Sequence, residues 1–421
     1  MQVTSKKINK RSIRIMAPAG SFESLHAAIQ GGAGAVYFGV DRLNMRSRSA
    51  GNFSLNDIGA ISEICRKNSV KSCLTVNTLL YDADMPHMRE MVLEAKKQDV
   101  SALIISDISA IEFARKMGME VHLSTQLNIG NSDAVRFYSQ YADVMVLARE
   151  LNLEQVQQIS ETIEKENITG PSGNKVLLEV FIHGALCMAI SGKCYLSLHQ
   201  AGLSANRGAC IQICRRAYTV QEKETAHQLE IDNEYIMSPR DLCTIHFLNR
   251  IIDAGATILK IEGRARSPEY VKTVTTCYSE AVDSIFNEKY TSENIGQWKE
   301  RLATVFNRGF WDGYYLGQRL GEWSHVYGSK ATCKKVYSGK ANNYYSKIGV
   351  AEFFIENEPV REGDEVLITG PTTGVIQMKA IDIRNDNGPT KMVRRGEKCA
   401  FKVSREIRRS DKLYRLIDRK K

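Results

Sequence analysis

Eight short apolar runs, with amphipathic segments between them, limit the possible folds of this chain more than any other feature. The runs are rich in β-branched residues and lie at 13–18, 35–40, 72–78, 102–106, 120–126, 144–148, 176–184 and 257–263. The segments between them carry apolar residues at spacings of three and four, which is typical of amphipathic helices. A strand followed by a helix, repeated eight times, predicts an α/β fold of the (β/α)8 TIM-like barrel type.

One interval in this pattern is too long for a barrel. From Gly184 to Thr257 the chain has many more residues than a loop and one helix require. An insertion at 185–256 follows the seventh strand, so it leaves the barrel at the C-terminal ends of the strands. Enzymes with this fold place their chemistry at that face. The insertion is therefore predicted to form part of a functional site.

Four cysteines lie within 28 residues of one another in this insertion, at Cys187, Cys194, Cys210 and Cys214. Thiols packed this densely favour a soft metal ion or an iron–sulfur cluster. Structural zinc sites usually have two tight cysteine pairs, and only the last pair here is tight, so zinc is the second choice. Cys243 lies downstream and is an alternative to Cys214, which leaves the fourth ligand open.

The compartment follows from the N-terminus and from hydropathy. The first 16 residues contain no apolar core of a signal peptide, and no run of about 18 apolar residues is present. The sequence therefore predicts a cytoplasmic protein without a membrane partner. In a reducing compartment, clustered cysteines indicate a site rather than disulfides.

Composition and residue pattern divide the whole chain into four segments. Residues 1–12 form a basic tail, 13–290 the barrel, 291–336 a helical connector, and 337–421 a series of short strands predicting a small C-terminal all-β barrel. Residues 391–421 contain 13 Lys or Arg against 4 Asp or Glu, an excess equal to the whole-chain net charge of +9. Such a concentration of cations suits either contact with RNA or a solvated surface.

Polar residues near the C-terminal ends of the predicted strands are the candidate site residues. The guanidinium group of arginine can donate two parallel hydrogen bonds to a carboxylate, whereas His, Lys and Glu side chains can move protons. The predicted catalytic residues are His122, Gln126, Lys260 and Glu262; the predicted substrate-binding residues are Arg46, Asn77, Arg149, His183 and Arg264.

Several alternative chemistries lack sequence support. The chain contains no GxGxxG, GxxxxGK[ST], HExxH or GxSxG motif, so dinucleotide, P-loop, zincin and α/β-hydrolase interpretations have no local basis. A thiol-protease pair of His183 and Cys187 remains open, because an imidazole can activate a thiolate.

The cysteine segments read HGALCMAISGKCYLS and SANRGACIQICR, and they closely resemble the collagenase-like peptidase family U32. The stretches MAPAGSFESLHAAIQGGAGAVYFGV and LKIEGRARSPEYV are similar to other blocks of that family. The resemblance covers roughly residues 13–290. Some members of the family are called collagenases, others hydroxylate a tRNA wobble uridine or a ribosomal RNA cytidine, and others act on a quinone precursor without oxygen.

The resemblance implies an iron–sulfur cluster, of the 4Fe–4S type, on Cys187, Cys194, Cys210 and Cys214, with prephenate as hydroxyl donor. Chain length favours the tRNA hydroxylation branch, so we expect 5-hydroxyuridine formation with tRNA as the partner. Ribosomal RNA or a protein substrate are the alternatives. A peptidase and a non-catalytic cluster scaffold or RNA-binding helper are the competing functions. The sequence leaves open whether the chain acts alone or with a paralogue.

Overall fold

The computed structural model describes residues 10–48, 52–219, 235–318, 321–326 and 328–419. Most of the predicted basic tail, and residues 220–234 of the insertion, lie outside these ranges. The first ten strands are β1 Arg14–Ala19, β2 Ala35–Phe38, β3 Lys71–Val76, β4 Ala102–Ile105, β5 Val121–Leu123, β6 Val144–Val146, β7 Leu177–Gly184, β8 Asp241–Cys243, β9 Ile258–Ile261 and β10 Phe310–Trp311.

Eight of these strands close a parallel barrel. The strands β1 to β7 pair with their neighbours in chain order, and β9 pairs with both β7 and β1. The predicted (β/α)8 barrel is therefore confirmed. The short strand β8 pairs antiparallel with the end of β7, and β10 pairs parallel with β8. These two strands extend the sheet beyond the ring at the point where the insertion leaves it.

Helices surround the barrel. They are α1 Phe22–Gln30, α2 Ile58–Lys67, α3 Met85–Lys97, α4 Ile108–Lys116, α5 Ser132–Tyr138, α6 Leu153–Glu166, α7 Leu196–Ala201, α8 Leu248–Asp253, α9 Pro268–Phe286 and α10 Ser292–Thr304. Side chains that accept a bond from a backbone N–H begin several of them, as Ser21, Asp107 and Asn152 do. These residues satisfy backbone donors that the first helical turn leaves unpaired. No described helix is long and apolar enough to cross a bilayer.

The inserted segment is shorter than its predicted range, because α8 is the helix that joins β7 to β9 in the barrel itself. The insertion contains α7 and two turns of 3-10 helix, Ala205–Arg207 and Ile213–Arg215. The predicted connector contains α10, and it also contributes β10 to the barrel sheet. The connector thus packs beside the insertion.

An antiparallel all-β region follows, as predicted. Its strands are β11 Cys333–Tyr345, β12 Val350–Ile355, β13 Val360–Arg361, β14 Glu365–Gly370, β15 Gly374–Lys379, β16 Arg384–Asn385, β17 Gly388–Pro389, β18 Met392–Val393, β19 Lys398–Lys402 and β20 Lys412–Asp418. Eight of them form one sheet in the order β15-β14-β20-β11-β12-β19-β16-β17, and β13 pairs with β18. A separate apolar core, which includes Phe353 and Phe401, supports this region.

Candidate active site at the barrel mouth

A cavity of about 100 Å³ opens at the C-terminal ends of the barrel strands. Space of this size holds several water molecules or a small ligand. The insertion contributes Cys187, Ser191 and Gly192 to its wall. Seven of the predicted site residues line the cavity: Arg46, Asn77, Gln126, Arg149, Lys260, Glu262 and Arg264.

Glu262 is the carboxylate of this cavity. Its Oε1 lies 3.0 Å from Nη2 of Arg46. Burial opposes ionisation of Glu262, but the charges of Arg46, Arg149 and Arg264 outweigh burial and lower the pKa of its carboxyl. The charge of Glu262 in turn is the main cause of the raised pKa of Arg46. Glu262 therefore stays ionised, with positive charge in excess around it.

The other two arginines are held by neutral partners. Arg264 donates to Thr75 Oγ1 at 2.7 Å and to Asn44 Oδ1, and burial lowers its pKa to about 10. Arg149 donates to the carbonyl of Ala185 at 3.1 Å. Since three arginines share the single carboxylate of Glu262 in the cavity lining, and two of them bond only neutral groups there, the cavity suits an anionic ligand.

Amide and hydroxyl groups form another part of the cavity wall. Asn77 Nδ2 donates to Ser124 Oγ at 3.1 Å, and Ser124 bonds the side chain of Gln126. The predicted fifth strand ends earlier than expected, so Gln126 lies on a 3-10 turn, Thr125–Leu127. Gly192 of the insertion packs against the Gln126 side chain. The insertion thus covers this wall.

His122 does not line the cavity, because it lies deeper in the barrel within a chain of charged residues that runs from the half-buried Lys71 and Glu120 to the buried Glu179 and Lys260. Its Nε2 lies 3.1 Å from Glu120 Oε1, and its Nδ1 lies 3.4 Å from Glu179 Oε2. Glu179 Oε1 accepts from Lys260 Nζ at 2.5 Å, and Glu120 pairs with Lys71 at 2.9 Å. We call these five residues the axial charge chain.

The two glutamates remain ionised in the axial charge chain despite burial. For Glu179, burial is opposed mainly by the Lys260 charge and by His122, and the pKa falls to about 2. For Glu120, burial is opposed by His122 and Lys71, with the same result. Burial would lower the pKa of His122, but the two carboxylates outweigh it and raise that pKa. The axial charge chain connects the N-terminal end of the barrel to Lys260 in the cavity wall.

His183 lies outside the cavity, which corrects its predicted position. The pairing of β7 with β9 shifts between Phe181 and His183, so the bulge turns His183 away from the barrel interior. Its Nδ1 lies 3.3 Å from the Tyr278 hydroxyl on α9. Burial and the charge of Arg266 lower the pKa of His183 to about 3. His183 is therefore a neutral packing residue.

The four insertion cysteines lie near one another, and Cys187 lines the cavity. Burial raises the pKa of Cys214, and the charges of Cys187, Cys210 and Cys194 raise it further, against the opposing effect of Arg215. In the described part of the chain, however, no three His, Cys, Asp or Glu side chains converge closely enough to hold one metal ion. The thiols form a loose group with the donor chemistry of a cluster rather than a tight cage for one ion.

Cys243 is separate from this group. It is buried on β8, and the Tyr278 hydroxyl lies 4.0 Å from its Sγ. Burial raises its pKa to about 11. Of the two candidates for the fourth ligand, Cys214 lies with the other three insertion cysteines and Cys243 does not.

Sequence reasoning missed Glu120 and Glu179. Glu179 is the one charged residue in the apolar strand β7, and a charge there requires a buried partner. Glu120 has the same strand parity as His122. Both signals were present in the sequence, but pairing across the barrel interior requires the three-dimensional structure.

The fold and the cavity define a (β/α)8-barrel protein with a thiol-bearing insertion over its C-terminal face. A model of peptidase family U32 matches residues 20–325, and the chain belongs to that family. The chain is 58% identical to a "Collagenase" of Porphyromonas gingivalis, over 98% of this chain and 100% of that protein.

More distant relatives carry a different name. The chain is 31% identical to "tRNA hydroxylation protein P1" of Bacillus subtilis, over 88% of this chain and 86% of that protein. Among solved structures, the U32 peptidase Mk0906 is similar at 10% identity with a TM-score of 0.39, covering 62% of this chain and 96% of that one.

Proposed function

We propose that this protein acts in oxygen-independent hydroxylation of RNA, with 5-hydroxyuridine at the tRNA wobble position as the product. The observation that carries the proposal is the composition of the cavity. Arginines 46, 149 and 264, one ionised glutamate and Cys187 line it, and no imidazole is among its described lining residues. This combination suits an acidic co-substrate beside a thiol-bound group, and the relationship to a tRNA hydroxylation protein supports it.

Each group in the cavity has a proposed part. Arg46, Arg149 and Arg264 bind the carboxylates of a small acid such as prephenate, while Asn77 and Gln126 orient it. Lys260 and Glu262 hold and move protons, and His122 acts through Glu179 to position Lys260. Cys187, Cys194, Cys210 and Cys214 would hold a 4Fe–4S cluster, which supplies electron transfer or Lewis acidity when bound.

The experiment is mass spectrometry of tRNA nucleosides from a strain that lacks the gene. We expect 5-hydroxyuridine to fall on deletion and to return with the wild-type gene. Arg149→Ala should fail to restore it, because the cavity then loses one of its cations. Arg136→Ala is the matched control, since Arg136 lies on the outer helix α5 and pairs with Asp133 and Glu166. An unchanged nucleoside profile on deletion would contradict the proposal.

A peptidase is the second candidate, favoured by the name of the 58% identical relative. The pair of His183 and Cys187 is not formed, because His183 faces α9 whereas Cys187 lines the cavity. Anaerobic purification with iron and sulfide analysis distinguishes the two candidates. A colourless protein that cleaves gelatin, and loses that activity on thiol alkylation, would support the peptidase.

A further inference from the structure

The insertion has an unusual charge composition. Residues 185–219 contain Lys193, Arg207, Arg215 and Arg216 and no Asp or Glu. Two of these cations are used internally: Arg215 donates to the carbonyls of Pro239 and Leu186, and Arg207 pairs with Asp84 at 2.7 Å. Lys193 and Arg216 are exposed. The described insertion therefore presents positive charge to solvent, with no carboxylate of its own to offset it.

Exposed apolar side chains accompany these cations. Tyr195 is 70% exposed, Ile190 53% and Met188 49%, and Leu198 and Ile211 are also exposed. Tyr81, 55% exposed, adds a second aromatic ring from the loop after β3. We call these six residues the insertion surface. Apolar side chains concentrated in one segment indicate a binding surface, because isolated exposed residues are normally scattered.

Tyr81 is part of a preformed platform. The Arg207 guanidinium lies 3.8 Å from the centre of its ring, and Asp84 Oδ2 accepts a hydrogen bond from that guanidinium at 2.7 Å. The backbone N–H of Leu79 donates to the carbonyl of Asn206 at 3.0 Å, which attaches the loop to the insertion. A flat platform that is already ordered costs little entropy when a planar ligand stacks on it.

We propose that the insertion surface binds unpaired nucleotides of an RNA loop, with bases stacked on Tyr195 and Tyr81 and phosphates near Lys193 and Arg216. The proposal rests on the proposed function and names the surface that would present the base to the cavity. Single-stranded RNA combines polyanionic charge with exposed apolar faces, and the surface has the complementary combination. The same segment forms the cavity wall at Ser191 and Gly192, so a base bound here lies beside the cavity.

The test measures binding of the purified full-length protein to a fluorescent RNA hairpin that has the anticodon loop sequence. Loss of a stacking ring typically weakens single-strand binding roughly tenfold to hundredfold, and we expect this of Tyr195→Ala and of Tyr81→Ala. Tyr195→Phe should bind like wild type, because it retains the ring. Tyr345→Ala is the matched control, since Tyr345 is an exposed tyrosine of the C-terminal domain.

The salt dependence of RNA binding tests the role of the two cations separately. Replacing Lys193 and Arg216 by Gln should reduce the slope of log affinity against log salt by about 0.7 for each lost phosphate contact. Thermal melts of each variant confirm that the fold is retained.

Two outcomes would overturn the inference. One is wild-type protein that does not bind the hairpin, and the other is alanine variants that bind it as tightly as wild type does. If the variants of the second outcome also fail to restore 5-hydroxyuridine in cells, the surface is assigned to a protein partner. Failure of the proposed function would give a different result, because deletion of the gene would then leave 5-hydroxyuridine unchanged.

Discussion

Glu179 is completely buried between Lys260 and His122, and the axial charge chain depends on its negative charge. Glu179→Gln keeps the shape but leaves Lys260 and His122 facing a neutral amide. Removing one partner of a buried ion pair typically costs about 3–5 kcal/mol, and we expect a loss of stability of that size. Urea unfolding followed by circular dichroism measures it.

The matched control is Glu112→Gln, because Glu112 makes an exposed pair with Lys116 on α4. Exposed pairs contribute little, so this variant should unfold like wild type. Equal stability of the two variants would show that the axial charge chain is not a stabilising network.

The axial charge chain also predicts how the stability of the fold changes with pH. Glu120 and Glu179 have a pKa of about 2 in the folded protein against an ordinary 4.5, so they stabilise the fold above about pH 4.5. That stability is lost as the pH falls toward 2. His122 has a raised pKa, so it stabilises the fold below its ordinary value of 6.5 and loses this effect as the pH rises through its folded pKa.

We therefore expect the melting temperature to fall steeply on acidification below about pH 4.5. Glu179→Gln should reduce that slope, because one of the two carboxyl groups of the axial charge chain whose pKa is about 2 is gone. Differential scanning fluorimetry across this range measures both slopes. A mutant whose slope equals that of wild type would contradict the assignment.

At the scale of elements, the recurring apolar runs with amphipathic segments between them were sufficient to predict the eight barrel strands and the position of the insertion. Position near a strand end also predicted that Lys260 and Glu262 face the cavity, which both line, whereas their catalytic roles stay predictions. The same reasoning failed for the position of His183, since the β7 bulge turns it away after Phe181 and nothing in the local sequence marks the extra residue. The packing of the insertion depends on contacts between distant segments, which periodicity does not encode.

Gly208 is where the insertion contacts the loop after β2. Its φ is +84°, and a Cβ there would lie 2.2 Å from Ser47 Oγ and 2.3 Å from the Asn44 carbonyl. Gly208→Ala should therefore separate these segments, at a cost above the roughly 1–3 kcal/mol of a non-glycine residue in this conformation. Hydrogen exchange of residues 204–216 should become faster.

Gly202→Ala is the matched control for that substitution. Gly202 has a φ of +64° and no atom within 4 Å of the added Cβ, so it tests the backbone cost without the clash. Exchange in the Gly208 variant that is no faster than in the Gly202 variant would mean that the contact with Asn44 does not hold the insertion.

At the scale of the whole molecule, the C-terminal domain packs on the barrel through α1 and α9. The carbonyl of Val375 accepts from Lys272 Nζ at 2.6 Å, and Lys335 pairs with Glu269 at 2.8 Å. The groove between the domains is lined by Ser21 and Pro268, which begin α1 and α9, and by cations of the basic segment 391–421, Arg408, Arg409 and Lys412. The predicted contact of this segment with RNA stays a prediction, and the groove places these cations at the cavity end of the barrel.

Gln30 makes two hydrogen bonds between the barrel and the C-terminal domain. Its Nε2 donates to the Thr373 carbonyl at 2.8 Å, and its Oε1 accepts from the Val375 N–H at 3.1 Å. Gln30→Ala leaves both backbone groups without these partners at the interface, which typically costs about 1–3 kcal/mol. We expect hydrogen exchange in residues 371–379 to accelerate roughly fivefold to hundredfold if the strand opens more often. Gln157→Ala is the control, because Gln157 bonds only Glu161 on the exposed face of α6. If the two variants exchange alike, the domains are held by their apolar contacts and not by this side chain.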